Sequence, residues 1–204
     1  SAMKFMDYGG IVFAPTEIEN WQQLKKPIPA RFVSGHFYFT LGIHCKEYTY
    51  DPNLYFQGDE ISLSLRSYTL GYDLFHPHRC VVWHEYTRKS RTKHWDDFKT
   101  PEKNKLQTTW LDIDKKSKSR LRQLLQTEDN GYTLYPHDLG RIKSLKEYED
   151  YAGVDFKLKR LHLDTLDGKN PPTVTNKNDT WRTEIYKKFT GTVYWTEEYP
   201  KIKA

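Results

Sequence analysis

Short apolar runs separated by turn residues divide the first part of the chain into strand-like segments. Residues 9–15 (Gly-Gly-Ile-Val-Phe-Ala-Pro) form such a run and predict a strand. The segment 31–41 is rich in Phe, Val and Tyr and predicts a second strand, or a strand pair around Gly35. Segment 48–56 contains an Asp-Pro step and predicts a loop that leads into a short extended piece.

A helix is predicted directly after this loop, where Gly58 is followed by two adjacent acids. Three apolar residues spaced i, i+4 and i+7 would form its buried face: Ile61, Leu65 and Tyr68. Gly71 is well placed to end the helix. Two strand pieces are predicted beyond it, at 72–75 and 80–83. The order strand, loop, helix, strand predicts an α/β fold class.

The second half of the chain has a different, more helical pattern. The predicted elements are a polar loop at 88–101, a helix at 117–126, a helix opened by the capping box Ser-Leu-Lys-Glu and ending at a glycine (144–153), a linker at 169–179, and a strand at 190–195. In the helix at 117–126 the buried stripe would be Leu121, Leu124 and Leu125.

The charge pattern and the cysteines limit the classes of partner and compartment. The net charge is +5, but basic residues are interleaved with acids along the chain, so we expect no nucleic-acid partner. Cys45 and Cys80 are the only cysteines and form no CxxC pair, which excludes a zinc site built mainly on thiolates and favours a reducing, cytoplasmic compartment. The sequence has no run of about 18 apolar residues, so we expect no membrane span.

Aromatic residues are frequent, at 15% of the chain. Such rings stack on the apolar faces of sugars or on bases, but they also fill protein cores. Without their positions, composition favours the core explanation over the binding one.

Two polar clusters are candidates for chemistry. Asp59 and Glu60 stand at a predicted helix start, where carboxylates either complement the positive helix end or serve a function. His84 follows the apolar run 81–83, which would deliver its imidazole to the carboxyl end of a strand, the edge where open α/β sheets bind ligands. A histidine there can bind a divalent ion or satisfy a buried polar neighbour.

These clusters lie inside a long ordered motif. Residues 51–77 read Asp-Pro-x-Leu-Tyr-Phe-x-Gly-Asp-Glu-Ile-x-Leu-x-x-Arg-x-x-Thr-x-Gly-Tyr-Asp-Leu-Phe-x-Pro, and they are followed by Val-Trp-His-x-Tyr-x-Arg at 82–88 and His-Trp-Asp-Asp at 94–97. This pattern resembles the C-terminal half of the catalytic domain of GlcNAc-transferase-like glycosyltransferases. These include cytoplasmic enzymes that attach N-acetylglucosamine to a hydroxyproline of a ubiquitin-ligase adaptor, and bacterial relatives. The similarity covers about 9–98, and a weaker similarity is found at 144–156.

The resemblance implies a GT-A fold, a nucleotide-sugar donor such as UDP-GlcNAc, a protein or glycan acceptor, and a Mn²⁺ or Mg²⁺ ion. By position, Asp59 and Glu60 match the acid pair that faces the acceptor and the reacting sugar, and His84 matches the histidine that completes the metal shell. Further candidates for binding the donor's phosphates, the sugar or the acceptor are Arg66, His94, Trp95, Phe37 and Tyr38. Such a carboxylate accepts the acceptor's proton in an inverting reaction, or stabilises positive charge on the sugar ring in a retaining one. The family is regarded as retaining, which favours the second role.

The chain departs from the family pattern in its donor half. A nucleotide-binding region of about 100 residues, ending in metal-binding acids, should precede Gly9. The acid-x-acid match at 112–114 comes after His84 and is interpreted as leading into the next helix. We therefore expect a partial GT-A domain, the acceptor-side and metal-completing half, at 1–104 and a mainly helical extension at 105–204. On its own, such a chain should bind donor weakly and turn over slowly or not at all.

The alternative is a non-catalytic carbohydrate- or protein-binding module on a truncated glycosyltransferase scaffold.

Overall fold

Helices and three small antiparallel sheets alternate along the chain in the computed structural model, which describes residues 2–14, 16–83, 109–173 and 181–183. The helices are α1 (Gly42–Glu47), α2 (Asp59–Thr69), α3 (Trp110–Leu124), α4 (Leu145–Ala152) and α5 (Leu163–Leu166). The strands are β1 (Ala2–Phe5), β2 (Ile11–Phe13), β3 (Ile28–Pro29), β4 (Phe75–His76), β5 (Val154–Asp155), β6 (Arg160–His162) and β7 (Trp181–Arg182), and a 3₁₀ turn spans Trp21–Gln23. The predicted mixture of helices and strands is confirmed.

The sheets are built by antiparallel pairing. β1 pairs with β2, and β3 pairs with β4 across the sequence that contains α1 and α2. β6 is the central strand of the third sheet, between β5 and β7. The predicted strand at 9–15 is therefore confirmed as β2. The piece predicted at 72–75 contributes only its last residue, to β4.

Helix α2 is the centre of the fold and confirms the predicted helix. Every residue from Ile61 to Thr69 is buried, including the predicted apolar face. The helix ends at Thr69, and Gly71 follows in the left-handed conformation (φ 91°). This conformation favours glycine, so the predicted stop is confirmed. The predicted loop at 48–56 before the helix contains neither helix nor strand.

Helix α4 confirms the predicted capping box. The Ser144 hydroxyl accepts from the Glu147 amide (3.2 Å), and the Glu147 carboxylate accepts from the Ser144 amide (2.6 Å). The helix ends at Gly153 in the left-handed conformation (φ 65°). These reciprocal bonds satisfy the free amides of the first turn.

Helix α3 begins seven residues earlier than predicted, at Trp110 instead of residue 117. Thr109 and Asp112 form a second capping box, in which the Thr109 amide donates to the Asp112 carboxylate (3.0 Å). The interpretation of Asp112 and Asp114 as residues leading into the helix was wrong, since both lie within its first turns. The predicted stripe Leu121, Leu124 and Leu125 is buried, as expected.

The strand predicted at 31–41 is absent, and the chain makes a tight turn over Ser34–Phe37, closed by a single bridge. The amide of Val33 donates to the Ser64 hydroxyl (2.9 Å), and that of Gly35 donates to the Glu60 carboxylate (2.6 Å). Side chains of α2 thus occupy backbone donors that a ladder would need.

The strand piece predicted at 80–83 is also absent. Val81, Val82 and Trp83 are exposed, so strand pairing of this segment would not be stabilised by burial of its side chains. The predicted loop at 88–101 and strand at 190–195 lie outside the described residues, as do the last six residues of the predicted linker.

One apolar cluster connects elements from the first sheet to β6. It contains Phe5 and Ile11 of the first sheet, Ile61 and Leu65 of α2, and residues of α3, α4, β5 and β6. The predicted boundary near residue 105 falls outside the described residues, and the division into two regions stays a prediction. Within the described ranges, no helix has the length and apolar character needed to span a membrane.

Candidate active site

Asp59 and Glu60 lie at the amino end of α2 and face a cavity of about 510 Å³, here called the acid cavity. Its walls come from the turn between β1 and β2, from β2 and from the segments before α2. The lining includes Tyr8, Val12, Phe13, His36, Tyr50 and Phe56. The structure therefore brings the two predicted catalytic carboxylates into a concave site.

Gly58 sets the position of the acid pair. It has a left-handed conformation (φ 98°), and a Cβ there would lie 2.7 Å from Cδ2 of Leu121. Only glycine allows the amino end of α2 to approach α3 this closely. The glycine before the two acids thus has a steric function that the sequence motif did not reveal.

Glu60 is fixed by the backbone of the turn opposite. Its Oε1 accepts the Gly35 amide proton at 2.6 Å, the length of a strong, charge-assisted hydrogen bond. This bond holds the Ser34–Phe37 turn against the start of α2. Glu60 therefore shapes the rim of the acid cavity.

Asp59 has an unusual acidity for an aspartate. Burial is the largest cause that raises its pKa, to about 6, and the negative charges of Glu60 and Asp51 add to it. A carboxyl group with this pKa is still mostly ionised at neutral pH but is a stronger base than an ordinary aspartate. Such a shift in a cavity is typical of functional carboxylates.

A buried ion pair lies beneath the acid pair. Nε of Arg120 donates to Oδ2 of Asp51 at 2.6 Å, and both side chains are buried. The Arg120 guanidinium also donates to the carbonyls of Thr133 (3.0 Å) and Leu134 (3.3 Å). Burial by itself raises the pKa of Asp51. The hydrogen bonds from Arg120 and Asn53 together lower it by more than burial raises it, so the net shift is downward. Asp51 therefore stays charged.

Sequence reasoning missed this pair, because its members are 69 residues apart and no local pattern links them. In the sequence, Asp51 stands only as part of a predicted loop and of the family motif. Its charge nevertheless contributes to the raised pKa of Asp59.

A second cavity, of about 700 Å³, holds the predicted residues Phe37 and Tyr38; we call it the aromatic cavity. Its lining also includes Trp21, Phe32, Phe39, Tyr72 and Phe75. His36 lines both cavities, so they adjoin at the Ser34–Phe37 turn.

Three polar groups meet beside the aromatic cavity. The Tyr38 hydroxyl lies 3.1 Å from Nε2 of His44 and 3.0 Å from Oγ of Ser67, and the last two atoms are 3.0 Å apart. Tyr38 and Ser67 line the cavity, while His44 lies behind them and is 2% exposed. Burial, and then the nearby Arg66 charge, lower the pKa of His44, so the imidazole is neutral at pH 7. Sequence reasoning missed His44 and Ser67, since neither stands in a chemical motif.

Arg66, a predicted phosphate ligand, is 2% exposed and lines neither cavity. Its guanidinium donates to the Thr49 carbonyl at 2.9 Å, and burial lowers its pKa. Its role in binding the donor's phosphates stays a prediction. His84, His94 and Trp95 lie outside the described residues, and their predicted roles likewise stay predictions.

Among residues 2–14, 16–83, 109–173 and 181–183, no three His, Cys, Asp or Glu side chains come together as a metal site. The acid pair supplies oxygen ligands of the kind that Mn²⁺ and Mg²⁺ prefer, but not a full shell. A metal requirement therefore rests on the family resemblance and on His84.

Two adjoining cavities, one with paired carboxylates and one with aromatic walls, suit an enzyme that acts on sugars. A comparison with protein families matches residues 1–158 of the chain to the family described as Glycosyltransferase (GlcNAc). The chain belongs to this glycosyltransferase family, which confirms the resemblance predicted from the motif. The matched range includes α3 and α4 as well as the motif region. No curated protein and no solved structure matches the chain.

Proposed function

We propose that this chain takes part in the transfer of a sugar, N-acetylglucosamine, from UDP-GlcNAc to a hydroxyl of a protein or glycan. In this proposal the described residues belong to the acceptor-side part of a GT-A fold, and the reaction depends on Mn²⁺ or Mg²⁺. The family match supports the class of reaction. The observation that carries the proposal is the cavity-facing acid pair, in which the pKa of Asp59 is raised to about 6.

Asp59 is the group proposed to act on the reacting atoms. In a retaining reaction its carboxylate stabilises the positive charge that develops on the sugar ring, and in an inverting one it accepts the proton of the acceptor hydroxyl. The retaining role is the one that the family favours. In either role, partial burial strengthens the electrostatic effect of the carboxylate, because less water screens it.

Glu60 contributes through position. Its bond to the Gly35 amide holds the rim of the acid cavity in place beside Asp59. Its charge also helps to raise the pKa of Asp59. A bound Mn²⁺ or Mg²⁺, with His84 as one ligand, would stabilise negative charge on the departing pyrophosphate.

The experiment compares the unmodified chain with Asp59→Asn and Glu60→Gln, using release of UDP from UDP-GlcNAc in Mn²⁺ over long incubations. We expect both variants to lower turnover more than donor affinity. Asp150→Asn is the matched control, because this exposed residue of α4 pairs with Lys146 and lies on neither cavity.

Unchanged turnover in both acid variants would refute the proposal. A loss confined to folding stability would assign the two acids to helix capping.

The aromatic cavity favours a second candidate, a non-catalytic carbohydrate-binding module on a glycosyltransferase scaffold. Metal-dependent binding of UDP-GlcNAc distinguishes the two, since a module that only binds carbohydrate has no use for the donor's pyrophosphate.

A further inference from the structure

We infer that the aromatic cavity is an acceptor subsite for one neutral sugar ring, so that the acceptor is a glycan rather than a bare polypeptide. This inference rests on the proposed function and names the substrate class of the same site. It also assigns a binding role to Ser67, in addition to Tyr38, and a positioning role to His44.

The walls of the cavity suit the apolar face of a sugar. Rings of Phe37, Tyr72 and Phe75 line a volume of about 700 Å³. Ligand pockets commonly measure about 300–1,000 Å³. Aromatic rings present broad apolar surfaces on which the C–H face of a pyranose can stack.

Tyr38, His44 and Ser67 form the polar floor of the aromatic cavity, and this floor has unused hydrogen-bonding capacity. The three contacts among Tyr38, His44 and Ser67 form a closed triangle of about 3 Å sides. If Nε2 of the neutral imidazole accepts, only the two hydroxyl protons are available for three contacts. If Nε2 carries the proton, it donates one hydrogen bond and cannot accept one. The imidazole proton and one hydroxyl proton then make two hydrogen bonds among the three contacts. In either tautomer one contact is not a hydrogen bond.

This leftover capacity belongs to hydroxyl groups at the cavity surface. The Ser67 oxygen retains a lone pair, which can accept a hydrogen bond from a sugar hydroxyl. The Tyr38 hydroxyl also interacts with the Thr40 side chain, and it faces the same cavity. Nε2 of His44, behind them, hydrogen-bonds one of the two oxygens and lies within 3.1 Å of both. The His44 ring is packed edge-on against Tyr72 at 4.7 Å between centroids. Such a fixed, partly unsatisfied polar group with apolar walls is typical of a specific ligand site.

The charge of the floor selects among ligand classes. Tyr38, His44 and Ser67 are all neutral at pH 7, so a phosphate or an ammonium group would lose its hydration without gaining an opposite charge. A polyol loses less on entering and regains its hydrogen bonds there. The cavity is also lined by one acid and one base, Asp73 and Arg79, which are opposite in charge and exposed to solvent. The buried floor is therefore the part of the lining that favours a neutral sugar.

The arrangement of the cavities links this subsite to the reaction. His36 lines both cavities, and Glu60 holds the turn that carries it. A sugar seated in the aromatic cavity can thus extend a hydroxyl, or its next residue, across this turn towards Asp59.

The test uses methyl glycosides of galactose, glucose, fucose and N-acetylglucosamine as probes, with saturation-transfer NMR and titration on the whole chain. We expect at least one glycoside to bind through its ring C–H protons. Ser67→Ala and Tyr38→Phe should each weaken that binding about five- to tenfold, as expected for the loss of one hydrogen bond.

Two matched variants control for folding and for nonspecific effects. Ser62→Ala makes the same change at another buried serine of α2 that lines neither cavity. Tyr135→Phe removes a hydroxyl from an exposed side chain. Both should bind the glycoside as the unmodified chain does, with circular dichroism melts confirming the fold of all four variants.

The subsite would be overturned if no glycoside bound, if a hydroxyproline peptide bound instead, or if the two floor variants bound the glycoside normally. The proposed function is refuted by a different result, namely that Asp59→Asn releases UDP as fast as the unmodified chain does. Glycoside binding that depends on Ser67 would then still establish the sugar subsite.

Discussion

Replacing Asp59 with Asn distinguishes a functional carboxylate from a helix cap, because the two explanations predict opposite signs for the free energy of unfolding. A carboxylate that merely complements the positive end of α2 stabilises the protein by about 0.3–1 kcal/mol, and its loss is destabilising. The raised pKa of Asp59 indicates instead that the folded protein disfavours the charge. Asp59→Asn should therefore stabilise the chain at pH 8.

The magnitude follows from the pKa. A rise from 3.8 to about 6 corresponds to at most about 3 kcal/mol. Asp59 is only partly buried, so solvent screening reduces this to about 1 kcal/mol. The Asp59 charge lowers the free energy of unfolding by its full amount above the folded pKa of about 6. This destabilisation declines as pH falls through 6 towards the unfolded value of 3.8. Most of the difference between the two proteins should therefore be gone at pH 4.

The assay is urea denaturation of both proteins at pH 8 and pH 4. Asp112→Asn provides the contrast, because it changes an aspartate at the start of α3 whose pKa is lowered by its hydrogen bonds to Thr109. That variant should lose stability at pH 8. A loss of stability in Asp59→Asn at pH 8 would refute the reasoning and leave Asp59 as a capping residue.

Three further changes test the surroundings of the site. Arg120→Met leaves Asp51 buried and unpaired and should cost about 3–5 kcal/mol in urea denaturation, and a loss below about 1 kcal/mol would contradict a buried ion pair. Gly58→Ala forces a side chain into the left-handed region and against Leu121, so we expect a loss of about 1–3 kcal/mol; an unchanged melting temperature would contradict the close approach of α2 and α3. His84→Ala should weaken the dependence of UDP release on divalent metal and lower activity strongly, whereas unchanged activity would remove His84 from the site.

The elements that could be predicted from the sequence are those specified by neighbouring residues. The capping box at Ser144 and Gly153 predicted both ends of α4, because each bond links residues within one turn. The spacing of Ile61 and Leu65 predicted the buried face of α2 in the same way.

The incorrect predictions arose where distant residues decide the structure. The segment 31–41 has strand-forming side chains, but its backbone donors are taken by Ser64 and Glu60 of α2. The start of α3 was misplaced because the capping box at Thr109 uses aspartate in place of the Glu or Gln that marks the usual pattern.

The candidate site was predicted in part for the same reason. The acid pair follows from a linear motif and Tyr38 from the wider family resemblance, and the structure places them on adjoining cavities. Asp51 with Arg120, and His44 with Ser67, come together only through tertiary packing. No spacing rule in a single sequence reveals such pairs.

Calorimetric titration of UDP-GlcNAc and UDP into the chain, with and without Mn²⁺, tests the central claim most directly. The proposed function predicts weak binding of both nucleotides that requires the metal ion. Absence of binding in Mn²⁺, or binding that is the same without it, would contradict a metal-dependent glycosyltransferase.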